Sequence, residues 1–240
     1  MAEHTDHPHL NKAPIVEAMI SVHTEAVDRA AFKTMEELNA GISKEFPTAE
    51  VLSEYVETET GSSKRVNGFR LLHYESKYAF SVNLDGMSFS RFAPYDTWED
   101  LTENAERIWN HYSACFEPLA LKDFSIRYIN DLVLPATEDI NTYLKTHIHV
   151  PDDFVSNAVS NLFFRLEMPI AEDNALLTLQ EALKGRMNDS EVSVILDYQL
   201  NYPALGMKRE RLWGAIKSKR KQKNQVFWGC ITERMEAKLR

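Results

Sequence analysis

Two cysteines in 240 residues, Cys115 and Cys230, cannot make a disulfide framework, and each falls in a helix-like stretch where it reads as a reduced core thiol. Glycine is scarce. The eight present are scattered, and neither GxGxxG nor GxxxxGK occurs, which removes the phosphate-cradling loops. A Gly-x-Ser-x-Gly nucleophile elbow is missing too. No apolar run reaches bilayer length, so no membrane association is expected. The polar start, Met1 to His9, lacks the basic-then-apolar order of a secretory signal, and the expected compartment is the cytoplasm.

Metal and hydrolase motifs fail for want of companions. His23-Thr24-Glu25 has the His-x-Glu of zinc deaminases without the Pro-Cys-x-x-Cys they need. His147 and His149 have no third ligand nearby. His4, His7 and His9 sit in a tail with no shape to hold an ion. Glu75-Ser76-Lys77 has the Glu-x-Lys of some metal-dependent nucleases, but it falls at a turn, whereas metal-site carboxylates belong on rigid elements. The sequence therefore assigns no catalytic residue, no metal site and no cofactor.

What is present is an ordinary globular mixture, 44% apolar and 26% charged, enough for a sizeable core. After a polar segment 1–12, expected to be unstructured, a strand is predicted over 14–25 and a helix over 28–45, capped by Asp28 and stopped by Pro47. Strands follow over 51–60, 69–75, 77–84 and 87–92, then a helix over 97–116. The second half repeats the order: a strand over 124–134, a short helix over 139–147, strands over 162–170, 175–183 and 192–202, and one helix over 212–239. Short connections favour antiparallel pairing. The predicted class is α+β: two halves, 13–118 and 119–240, each strand, helix, antiparallel meander, helix, fused into one broad sheet with helices on one face.

Strand parity assigns faces. An Asp85-Gly86 turn would pair Leu84 with Met87, Val82 with Phe89 and Phe80 with Arg91. Arg91 then points into the core and needs a carboxylate, for which Glu17 is the expected partner. In the second half Leu162, Phe164, Leu166 and Met168 align with Val192 through Leu200 on one face. The other face carries Arg165, Glu167, Thr178, Gln180, Asp197, Gln199 and Asn201, joined by Arg127 and Asp131. Such a face is either simply solvated or a binding surface.

Charge is unevenly spread. Residues 208–240 hold 11 Lys/Arg and 3 Asp/Glu, a net +8, while the first 207 residues stand at −17. Lys217, Lys219, Arg220, Lys221 and Lys223 concentrate this charge between the apolar residues Leu212, Ile216, Phe227 and Ile231. The segment can rest on its own acidic body, dock an acidic protein, or touch phosphates. The overall pI near 5.4 and the lack of aromatics inside the cluster disfavour nucleic acid.

Several strings carry a resemblance: Lys12-Ala-Pro-Ile-Val-Glu-Ala, Asp85-Gly86 followed by Ser90-Arg91-Phe92-Ala-Pro-Tyr95-Asp-Thr-Trp98, Ile126-Arg127-Tyr128-Ile129-Asn130, and 227–232. In order and spacing the chain resembles a sporadically distributed family of bacterial proteins of similar length with no established activity. The resemblance implies an exchangeable accessory gene, such as a defence or toxin–antitoxin component, and carries over no site residues. The expectation is a non-catalytic binding protein, a homodimer engaging a protein partner through the sheet face or the C-terminal helix. The alternatives are a nucleic-acid-associated protein using that helix, or an enzyme with a polar site between sheet and helices built on Glu17 and Arg91 or on Arg127 and Asp197.

Overall fold

The computed structural model describes residues 10–26, 37–38, 40–58, 61–116, 120–146, 149–151, 153–155 and 159–240. Most of the helix expected over 28–45 lies outside these residues, as do residues 1–9 and His147. Nine strands form one antiparallel sheet: β1 (Ile15–Thr24), β2 (Thr48–Thr58), β3 (Gly61–Leu72), β4 (Tyr78–Asn83), β5 (Gly86–Phe92), β6 (Leu121–Pro135), β7 (Phe163–Ile170), β8 (Ala175–Arg186) and β9 (Glu191–Pro203). Their order across the sheet is β2-β3-β4-β5-β1-β6-β9-β8-β7. The opening strands β1 and β6 lie side by side at the middle. Each is flanked by the last strand of its own meander, β5 or β9, so the sheet reads outward from its centre in the same sense on both sides.

Alternation along the central strands separates two faces. Ala18, Ile20 and Val22 of β1, Phe80 and Val82 of β4, Phe124, Ile126 and Tyr128 of β6, and Tyr198 and Leu200 of β9 are buried on one. Helix α1 (Trp98–Cys115) packs there against β5 and β1, with Trp98, Leu101, Ala105, Ile108, Trp109 and Tyr112 inward. Thr97 caps it, its hydroxyl accepting from the Asp100 amide. The opposite face is polar. One row across it reads Ser81, Ser88, Ser21, Ser125, Asn201. Among the described residues no helix is long and apolar enough to cross a membrane.

The β4–β5 hairpin is offset by two residues from the sequence prediction. Val82 pairs with Met87, Phe80 with Phe89 and Tyr78 with Arg91, and the two-residue connection is Leu84-Asp85. Gly86 is the first residue of β5, at φ +145°, and a Cβ there would lie 2.2 Å from the Val22 carbonyl oxygen of β1. The glycine thus serves the close approach of β1, while Leu84 and Asp85 make the turn. An even offset keeps parity, so Arg91 faces the core as expected, 2% exposed.

Two helices differ from prediction. Of the helix expected over 139–147, the described residues 139–146 form only a 3-10 turn, Ile140–Thr142, capped by Asp139. Leu144 then bridges to Ile231, which pulls the chain out of helix. The single helix expected over 212–239 is three: α2 (Leu212–Ser218), α3 (Arg220–Cys230) and α4 (Glu233–Leu239). The breaks fall at Lys219 and at Ile231-Thr232. There Ile231 is extended in its bridge, and the Thr232 side chain caps α4 by accepting from the Met235 amide. Residues 10–12, expected in the unstructured tail, are held: the Lys12 amide donates to the Leu239 carbonyl at 3.0 Å, and Asn11 Nδ2 to the Arg240 carbonyl at 2.7 Å.

Candidate functional site

A cavity of about 700 Å³ lies where the sheet, the β5–α1 connection, α3 and the chain entering β1 meet. Tyr128 and Asn130 of β6 and Tyr198 of β9 form its floor. Tyr95 and Trp98 come from the connection and the start of α1, and Lys223 with Phe227 from α3; Leu10 to Ile15 closes one side. The segments that carry the resemblance, distant along the chain, converge here.

Lys223 is the unusual member. It is 8% exposed, and its Nζ lies 4.7 Å from the centre of the Tyr128 ring and 5.4 Å from a Trp98 ring centre. The one hydrogen bond of its ammonium among the described residues is to the Asn224 Oδ1, at 2.7 Å, and it pairs with no carboxylate there. Burial first and neighbouring Arg220 second push its ammonium down to about 8, with Glu99 opposing both. Desolvating an ammonium costs several kcal/mol, and two aromatic faces return about 2 kcal/mol at most each. At pH 7 the charged form still prevails by roughly ten to one.

Three further charged residues line the cavity, Lys12, Asp96 and Arg220; Asp96 is paired with Arg91 and Arg220 with Glu99, and the polar groups of the floor are neutral. The Tyr95 and Tyr128 hydroxyls are 3.0 Å apart. Burial raises both phenols well above their ordinary range, so each keeps its proton. Asn130 is fully buried; its Nδ2 donates to the Leu196 carbonyl at 3.1 Å, while its Oδ1 has no partner among the described groups.

The other predicted residues are elsewhere. Arg127, Arg165, Glu167, Asp197 and Gln199 do share the polar sheet face, with Asp131 two strand positions further along β6 from Ile129. They are already paired. Arg127 forms a two-point bridge to Asp197, Nε to Oδ1 at 2.9 Å and Nη2 to Oδ2 at 2.6 Å. Asp131 accepts from Ser193 and Lys184, Arg165 donates to Glu167, and Gln199 to Asn201.

Arg91 is paired, but not with Glu17. Glu17 neighbours Phe92 and lies on the polar face beside Arg127, one pleat out of phase with Arg91. Arg91 instead meets Asp96 at 2.6 Å and Asp100 at 3.5 Å, with its guanidinium over the Tyr78 ring. Neither Glu17 with Arg91 nor Arg127 with Asp197 lines the cavity. Glu75 is bridged to Lys77 at 2.7 Å on an exposed turn, and among the described residues no group of three His, Cys, Asp or Glu could hold a metal ion.

The basic segment is largely neutralised by its own body. Lys217 pairs with Glu106, Lys219 with Asp173 and Arg220 with Glu99; Lys221 is exposed and Lys223 is buried. The hydrogen bond from Lys219 holds the Asp173 carboxyl below its usual range. Sequence reasoning placed Lys223 in a solvated run. Its spacing from Ile216, Phe227 and Cys230, all buried, puts it on the apolar stripe of the helix, and that was the available signal.

No family model matches the chain, and no curated protein matches it.

Proposed function

We propose that this chain is a non-catalytic, cytoplasmic binding protein that holds a small organic anion in the cavity between sheet and helices, with Lys223 opposite the negative charge. The observation that carries this reading is a buried cation that lines a ligand-sized cavity and pairs with no carboxylate among the described residues. Buried charges are ordinarily paired, and cavities of 300–1,000 Å³ are the usual size for small-molecule sites. The aromatic walls add apolar contact. The test is calorimetric titration with a panel of aromatic carboxylates against the intact protein and Lys223→Met. Binding by the intact chain, lost in the variant, supports the reading; binding unchanged by the substitution sinks it.

A second reading concerns the polar sheet face. The described helices leave it bare, and its charges are organised into pairs that need not be broken by a neighbour. A protein partner or a second copy of the chain is the occupant expected there. Light scattering and cross-linking of the purified protein would decide between monomer and dimer.

A further inference from the structure

The ligand class can be narrowed by a group that Lys223 does not explain. Asn130 is fully buried in β6 and lines the cavity. Its amide orientation is fixed, because Nδ2 donates to the Leu196 carbonyl; exchanging the two atoms would set oxygen against oxygen. Its Oδ1 is therefore an acceptor with no donor among the described groups. A buried acceptor left in that condition is costly, and a ligand that supplies the donor gains accordingly.

Aromatic rings surround Asn130. The Tyr128 and Tyr198 rings stack at 5.6 Å with 15° between their planes, and Trp98 lines the cavity beside them. Aromatic walls favour an aromatic occupant. Resting on the anion-binding reading above, we infer that the ligand is a planar aromatic or heteroaromatic acid that also carries an N–H or O–H donor, with its charge toward Lys223 and its donor on Asn130 Oδ1. Lys223 asks for an acceptor and Asn130 Oδ1 for a donor, so a carboxylate alone cannot satisfy both. A small inorganic anion leaves the volume unfilled and Asn130 unmet. A fatty acid has no donor, and a neutral hydrocarbon answers neither group.

Matched probes test this. Indole carboxylates with the acid at each ring position are titrated beside their N-methyl counterparts, with ring C-methyl isomers controlling for bulk. The expected result is at least one N–H acid binding about tenfold or more tighter than its N-methyl form, the C-methyl isomer behaving like the parent. Asn130→Leu should abolish that difference, while Lys223→Met weakens every member. Equal affinity of N–H and N-methyl acids, with Lys223 still required, overturns this inference and leaves the anion-binding reading intact. No binding by any acid overturns both. If Asn130→Leu does not fold, the comparison of probes on the intact protein decides alone.

Discussion

The ammonium of Lys223 and the ring of Tyr128, 4.7 Å apart, join the last long helix to the centre of the sheet. The contact is a cation over a buried phenol, placed where a leucine would serve packing better.

Replacing Lys223 should therefore stabilise the empty protein. The folded-state value of about 8 lies below the ordinary 10.5, so the folded chain holds this proton less tightly than the unfolded chain. The penalty is full below pH 8 and disappears as pH rises through 10.5. Lys223→Met should gain on the order of 3 kcal/mol at pH 7 and little at pH 10.5 or above. Urea denaturation at both pH values measures it; equal effects at the two would contradict the burial described. A gain in stability with a loss of binding is the signature of a residue kept for function.

Glu181 behaves in the opposite sense on the pH scale. It is fully buried in β8; Oε1 accepts from the Thr146 hydroxyl and Oε2 has no described partner. Burial raises its carboxyl, and Thr146 only partly opposes this. With the folded value above the unfolded one, its cost is absent at acid pH and grows as pH rises through the carboxylate range. Glu181→Gln should raise the melting temperature at pH 7.5 and leave it unchanged at pH 4. A uniform shift across both would show that the carboxyl holds its proton equally in the folded and unfolded chain.

Arg91 and Glu17 should respond very differently. Arg91→Met leaves the partly buried Asp100 without its cation and removes the guanidinium from Tyr78, at a cost of about 1–3 kcal/mol, since the exposed Asp96 is resolvated. Glu17→Gln changes a partly exposed group on the other face and should cost less than about 0.5 kcal/mol. Comparable losses in chemical denaturation would mean that the two interact after all.

The C-terminal cations should give little affinity for nucleic acid. With Lys217, Lys219 and Arg220 engaged by Glu106, Asp173 and Glu99, few counterions remain to be released. Binding to duplex or single-stranded DNA in 150 mM salt should be no tighter than about 10 µM, the range of non-specific contact. Fluorescence anisotropy over a salt series is the measurement. Sub-micromolar binding with a steep slope would return the helix to the list of phosphate readers.

How far the sequence was legible depended on the range of the interactions. Strand alternation is local, so all nine strands and the face of Arg91 could be read. The β4–β5 register could not, because Gly86 answers to the carbonyl of Val22, some sixty residues earlier. The breaks in the C-terminal helix were likewise hidden: Ile231 leaves the helix to bridge Leu144, a contact no local pattern announces. Arg91 found Asp96 in the turn after its own strand and Asp100 in the first turn of α1, while Glu17 was set one pleat out of phase. The cavity was least visible. Tyr95, Trp98, Tyr128, Asn130 and Lys223 come from three separate segments, and a lysine within a run of lysines gave no sign of facing inward, apart from its place on the apolar stripe.

The mirrored strand order has a mechanical consequence. With β1 and β6 in the middle, β2 and β7 are the two rims, and only there does main chain lack a neighbouring strand among the described residues. Eight inter-strand steps of about 4.8 Å put those rims roughly 38 Å apart before twist. Substitutions at either margin therefore fall far from the chamber at the hub, so the unpaired edges and the cavity can be altered separately by mutation.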